Sequence, residues 1–94
     1  MRDGGWVIDP TVNKKVSDMA PEHYQIFASA FEGFCGAGYQ PLMHIGQQVV
    51  QGMNHAYIAL QTISLPTGTK TAVVKVTLYV PLNATPVISS IEAI

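Results

Sequence analysis

The sequence predicts an α+β fold in which a single α-helix packs across a curved antiparallel sheet of four to five strands. Two observations predict it: one amphipathic helical pattern begins near residue 21, and four strand-like segments joined by short loops follow it. Consecutive strands with short connections run antiparallel, and one helix covers one face of such a sheet. A length of 94 residues indicates one domain, residues 1–94.

The helix is predicted to begin at Pro21, because proline suits the first helical turn, and to end before Gly36-Ala37-Gly38. Glu22 lies in the first turn, where the positive end of the helix dipole favours it. Apolar residues recur with helical spacing and predict the inward face. They are Tyr24, Phe27, Ala28, Phe31 and Phe34.

The remainder of the chain reads as strands, with a short first strand expected before the helix, at residues 4–9. The later strands are expected at Tyr39–Gln48, Met53–Leu65, Thr71–Val80 and Val87–Ile94. Pro41 and Gly46 indicate a bulge in the first of these. A turn is expected at Pro66-Thr67-Gly68-Thr69.

The segment Thr71–Val80 alternates between apolar and polar residues, which is typical of a strand with one covered face. Met53–Leu65 differs because both of its faces are apolar, so alternation does not say which face is inside. Surface apolar residues are one explanation. The other is that a second subunit covers the outer face.

The composition excludes several classes of protein. Hydrophobic residues make up 48% of the chain and charged residues 12%, which indicates a folded protein. A net charge of −1 provides no basic field for nucleic acid, and no apolar run reaches the roughly 20 residues of a membrane span. We therefore expect neither nucleic acid nor a membrane as a partner. The polar N-terminus does not resemble a signal peptide, so we expect either a cytoplasmic protein or one whose leader was removed before this chain was defined.

The sequence Gln48-Val49-Val50-Gln51-Gly52 lies between two predicted strands and after the one predicted helix. This Gln-x-Val-x-Gly pattern and its setting resemble the first hairpin loop of the cystatins, inhibitors of papain-like cysteine proteases. Gly4 and Gly5 are similar to the glycine that precedes the first cystatin strand. Pro81-Leu82 falls where many cystatins have a Pro-Trp pair. Without disulfides, the chain looks most like the stefin-type members and like small bacterial proteins with the same Gly-Gly-Trp opening.

The resemblance implies that the N-terminal segment and two loops form a wedge that covers the active-site cleft of a papain-like cysteine protease. The protease-contact residues it implies are Gly4, Gly5, Gln48, Val49, Val50, Gln51, Gly52, Pro81 and Leu82. Such an inhibitor needs no catalytic residue and no cofactor, so we expect that the chain is not an enzyme. Leu82 replaces the family's aromatic residue and Asp3 precedes Gly4, so micromolar inhibition is expected.

The residues that could bind a metal or act as a nucleophile do not form a recognisable site in the sequence. The histidines at 23, 44 and 55 have no i, i+4 pairing and no neighbouring cysteine cluster, so no metal site is expected. Cys35 is the one cysteine, and we expect it to be a half-buried structural residue and not a nucleophile.

Two alternative functions remain open at this stage. The first is a non-inhibitory cystatin-fold interaction module that forms a homodimer or exchanges strands between subunits, motivated by the two apolar faces of Met53–Leu65. The second is a small enzyme or ligand carrier, which requires a deep pocket with perturbed titratable groups.

Overall fold

One α-helix lies on an antiparallel five-stranded sheet in the computed structural model, which describes residues 6–8 and 19–94. The elements are β1 (Trp6–Ile8), α1 (Pro21–Ala30), β2 (Gly38–Val50), β3 (Gly52–Leu65), β4 (Gly68–Val80) and β5 (Val87–Ala93). The strands lie side by side in chain order, and each pairs antiparallel with the next. The predicted α+β arrangement is thereby confirmed.

The helix α1 begins at Pro21 as predicted but ends earlier than expected, at Ala30. A turn follows and includes Gly33, whose φ of 74° lies in the left-handed region. Phe34 is therefore not part of the helix, although its ring contacts those of Phe31 and Tyr39. In the part of the chain that is described, no helix is long and apolar enough to cross a membrane.

The inward face of α1 differs from the predicted stripe. Phe27 is buried and Phe31 packs against the core, but Tyr24 and Ala28 are exposed. Ile26 and Ala30, which were not predicted, pack against the core instead. The early end of the helix explains part of the error, because the predicted stripe depended on Phe34 continuing the helical spacing.

The core lies between α1 and the face of the sheet that bears Tyr57. The Tyr57 ring meets the ring of Phe27 edge-on, with their centroids 5.1 Å apart. The buried core residues are Met19, Phe27, Tyr57, Ala59, Val74, Val76 and Leu78. Val74, Val76 and Leu78 occupy the inward face that alternation predicted for β4.

The core also settles which face of β3 is inside. Tyr57 and Ala59 lie under the helix, whereas Ile58 and Leu60 are half-buried and alternate with them toward the opposite face. We call this opposite face of the sheet the outer face. Val73 of β4 pairs with Leu60 and is 45% exposed there. The outer face is thus partly apolar within a single chain.

Two register shifts occur in β2 where a bulge was predicted, between Pro41 and Met43 and between His44 and Gly46. Pro41 and His44 are both buried although they are three residues apart, a spacing that regular alternation assigns to opposite faces. The first shift therefore turns His44 toward the helix side, where it pairs with Tyr57.

Candidate functional site: an exposed edge of two loops

The chain reverses between β2 and β3 at Gln51, with Val50 opposite Gly52 and Val49 opposite Met53. Gly52 has a φ of 102°, a conformation that glycine adopts without strain. A Cβ atom at this position would lie 2.4 Å from the carbonyl oxygen of Val80. The tight reversal therefore requires glycine for its backbone angle and for space.

The two valines of this hairpin differ in exposure. Val49 is 47% exposed, whereas Val50 is half-buried. Beside them, the side-chain amide of Asn54 donates a hydrogen bond to Oε1 of Gln48 over 2.8 Å. This bond links the two strands of the hairpin just below its tip, so Gln48 supports the hairpin as well as bordering it.

The second predicted contact region is the loop 81–86 between β4 and β5. Leu82 in this loop is 76% exposed, and Pro81 is half-buried. The loop emerges beside the hairpin tip because Met53 pairs with Val80, directly before Pro81. The structure thus brings the two predicted loops to the same end of the sheet. We call residues 49–52 with Pro81 and Leu82 the docking edge.

The third predicted contact region, Gly4 and Gly5, lies outside the described residues. The first described residue of β1, Trp6, pairs with Gln48, so β1 begins at the end of the sheet that carries the docking edge. Trp6 is 43% exposed and, with Ile45, Ala56 and Lys75, lines a shallow depression on the outer face.

Sequence reasoning missed the support that Tyr79 gives to the docking edge. Its hydroxyl group donates a hydrogen bond to the backbone carbonyl of Gln51, and its ring lies 3.1 Å from the Cβ position of Gly52. A signal was present in the sequence, since Tyr79 is the polar-face residue of β4 nearest to the second loop. The docking edge itself contains no ionisable side chain, so it is suited to apolar and backbone contacts.

A second feature of the fold is a group of three histidines that are distant in sequence. His23 of α1, His44 of β2 and His55 of β3 place one ring nitrogen each within 4.8 Å of the others. The expectation of no metal site relied on their spacing along the chain, and that reasoning does not hold, because the fold brings all three together. We call these residues the histidine cluster.

The histidine cluster is closely packed. Nε2 of His44 and Nδ1 of His55 share a hydrogen bond of 2.8 Å, and the ring of His23 stacks on that of His44 with centroids 3.7 Å apart. His44 and His55 are 2% and 4% exposed, and His23 is half-buried. Burial, reinforced by the neighbouring His44 and His23, lowers the pKa of His55 to about 4.

Cys35 lies in the segment between α1 and β2 and is exposed, not half-buried as expected. Its Sγ atom lies 3.6 Å from the carbonyl oxygen of Gly33. A structural role in the core is therefore excluded for this cysteine.

Comparisons with protein-family models, curated proteins and solved structures find no match to this chain. Its function is therefore inferred from its own residues and their arrangement.

Proposed function

We propose that this protein is a cystatin-like inhibitor that inserts its docking edge into the active-site cleft of papain-like cysteine proteases. The observation that carries the proposal is the position of Val49 and Leu82. Both side chains are exposed, and they lie on adjacent loops at the end of the sheet where β1 begins. A wedge of this kind needs exposed apolar groups at one end of the domain, and the two described loops meet that need.

The docking edge is held in place before any partner binds. Gly52 packs against Val80, and Tyr79 bonds to Gln51, so the hairpin tip has little freedom to lose on association. Ordering of a flexible loop costs binding free energy, and a preformed loop avoids most of that cost. Rigidity also protects an inhibitor from cleavage, because a protease must fit an extended segment into its cleft to cut it.

The apolar area of the docking edge predicts modest affinity. Burial of the exposed parts of Val49 and Leu82 contributes roughly 3 kcal/mol, taking about 1.5–3 kcal/mol for a whole aliphatic side chain. Association itself costs about 4 kcal/mol or more, so backbone hydrogen bonds and the N-terminal segment must add to the contact. A Kd of about 1 μM corresponds to about 8 kcal/mol, so these additional contacts must supply most of the binding free energy for the micromolar inhibition that we expect.

The test measures how fast papain cleaves a small fluorogenic peptide in the presence of the protein at concentrations up to about 100 μM. A Kd at this upper limit corresponds to a binding free energy of about 5.5 kcal/mol. We expect KM to rise with inhibitor concentration while kcat stays constant, because the docking edge and the peptide compete for one cleft. Papain whose catalytic cysteine is alkylated should also bind the protein, since binding involves no chemical step.

The variant Val49→Asp should abolish inhibition, because it brings an unpaired charge into an apolar contact. Val73→Asp is a matched control: the same substitution at a valine of similar exposure, on the outer face and away from the docking edge. Retained inhibition in Val49→Asp, equal loss in both variants while both remain folded, or no inhibition by the native chain would refute the proposal.

Self-association through the outer face is a second candidate function, favoured by one observation. Val73 is 45% exposed beside the half-buried Leu60 and Ile58, so the outer face presents apolar side chains to solvent. A homodimer would cover them. Light scattering coupled to size-exclusion chromatography should then give twice the chain mass of 10.1 kDa, and Val73→Asp should return the protein to a monomer. If the protein remains a monomer at about 100 μM, its dimerisation free energy is weaker than about 5.5 kcal/mol, and this candidate is excluded.

A further inference from the structure

We propose that the histidine cluster binds one divalent transition-metal ion of the zinc class, with His23, His44 and His55 as its three protein ligands. The three side chains come from a helix and two strands, and their ring nitrogens already lie within 4.8 Å of one another. Imidazole nitrogen is a preferred ligand of Zn²⁺, Ni²⁺ and Cu²⁺. Sites with three histidines and a water as fourth ligand are a known form of zinc coordination.

The distance between the His44 and His55 nitrogens is close to that of a metal site. In a tetrahedral site with Zn–N bonds of about 2.0–2.1 Å, neighbouring ligand nitrogens lie about 3.3 Å apart. Nε2 of His44 and Nδ1 of His55 are 2.8 Å apart, so they need to separate by only about half an ångström when the ion replaces their shared hydrogen bond.

His23 is the ligand that moves. Its ring stacks on His44 with an angle of 17° between the ring planes, and stacked rings direct their nitrogens along parallel planes and not toward one point. Binding therefore requires the His23 ring to rotate out of the stack. The residue is half-buried and lies in the first turn of α1, so its ring is less enclosed than those of His44 and His55.

The protein holds the cluster on a rigid frame. His44 pairs with Tyr57 in the sheet, and the Tyr57 hydroxyl donates a hydrogen bond of 2.7 Å to the carbonyl oxygen of His23. A single tyrosine thus positions the backbone of two of the ligands.

The direct test is titration of tag-free protein, first stripped with EDTA, with ZnCl₂ at pH 7.5 in an isothermal titration calorimeter. We expect one ion per chain with a Kd below about 10 μM. Zinc at a hundredfold excess over Kd should raise the Tm by about 10 °C or more, since the ion binds the folded chain. Co²⁺ should give the intense visible absorption of a tetrahedral site. Long-range ¹⁵N NMR should show a shifted ring nitrogen in all three histidines.

The decisive variant is His23→Ala, which removes one ligand from a half-buried helical position without opening the core. It should weaken Zn²⁺ binding at least tenfold, whereas His23→Cys, which restores a ligand as a thiolate, should recover it. Glu22→Gln removes the exposed carboxylate next to His23 and should leave the affinity unchanged. Binding that is absent, or that His23→Ala does not weaken, would overturn the proposal and leave the three imidazoles as hydrogen-bonded core residues.

Discussion

The hydroxyl group of Tyr79 donates a hydrogen bond to the backbone carbonyl of Gln51, which joins β4 to the tip of the β2–β3 hairpin. The bond spans 28 positions in sequence and holds the hairpin tip beside the strand that leads into the second loop. The two loops of the docking edge therefore form one unit.

Tyr79→Phe should lower the free energy of unfolding by about 1 kcal/mol, because the carbonyl of Gln51 loses its protein donor. The larger effect is expected at the hairpin tip, where amide hydrogen exchange should accelerate at Gly52 while exchange in the centre of β4 stays slow. Inhibition of papain should weaken several-fold, because the hairpin tip becomes more mobile. Unchanged exchange at Gly52 would contradict the role assigned to this bond.

Gly52→Ala should destabilise the protein by about 2–4 kcal/mol, from the cost of a positive φ and the displacement of the Val80 carbonyl. Gly33→Ala provides a matched control, because Gly33 also has a positive φ but a Cβ there meets nothing within 4 Å. It should cost about 1–2 kcal/mol, the backbone term alone. Urea denaturation of both variants measures the difference, and equal losses would show that the close contact with Val80 is unimportant.

Acid should destabilise the metal-free protein through His55. Its pKa is about 4 in the folded protein and 6.5 in the unfolded chain, so the unfolded chain takes up the proton first as the pH falls. The free energy of unfolding should decrease from about pH 6.5 downward and level off below about pH 4, with a total loss of about 3 kcal/mol. About 2 kcal/mol of this loss falls between pH 7.5 and pH 5.

Urea denaturation in EDTA across this pH range checks the prediction, with His55→Gln as the reference that lacks the titrating group. His44 of β2 and His23 of α1 face His55, and Tyr57 lies beside them on β3. If the native chain and the variant lose stability in parallel between pH 7.5 and pH 5, His55 is not the responsible group.

Tyr57→Phe should cost about 1 kcal/mol of stability, because the backbone carbonyl of His23 loses the hydroxyl that donates to it. Burial also raises the pKa of this hydroxyl, so it remains a donor throughout the neutral range. Tyr24→Phe removes the same atom from an exposed position and should change stability by less than about 0.5 kcal/mol. A loss no greater than that of Tyr24→Phe would show that the helix start does not depend on Tyr57.

Much of the fold is predictable from local patterns in the sequence. The alternation from Ala72 to Val80 identifies the inward face of β4, and Pro21 marks the start of the helix. These predictions succeed because each depends on residues that are neighbours in one element. The position of the two loops follows as well, since successive antiparallel hairpins place every second connection at the same end of a sheet.

The histidine cluster was not predictable by the same reasoning. His44 reaches the helix side of the sheet only because a bulge shifts the register of β2. The spacing of residues along the chain does not predict that shift. The helix adds His23 from a third segment. The inward face of β3 was likewise ambiguous, because both of its faces are apolar and only the position of α1 distinguishes them.

Trp6 is the one tryptophan of the chain, and its partly exposed indole lies opposite Gln48, beside the docking edge. Its emission therefore provides a built-in optical reporter of that end of the molecule. Capture by a protease should move the fluorescence to shorter wavelength as water leaves the indole. The depression that Trp6 lines opens on the outer face, whereas the histidine cluster lies under the helix. The Trp6 emission therefore reports on binding at the docking edge separately from binding at the histidine cluster.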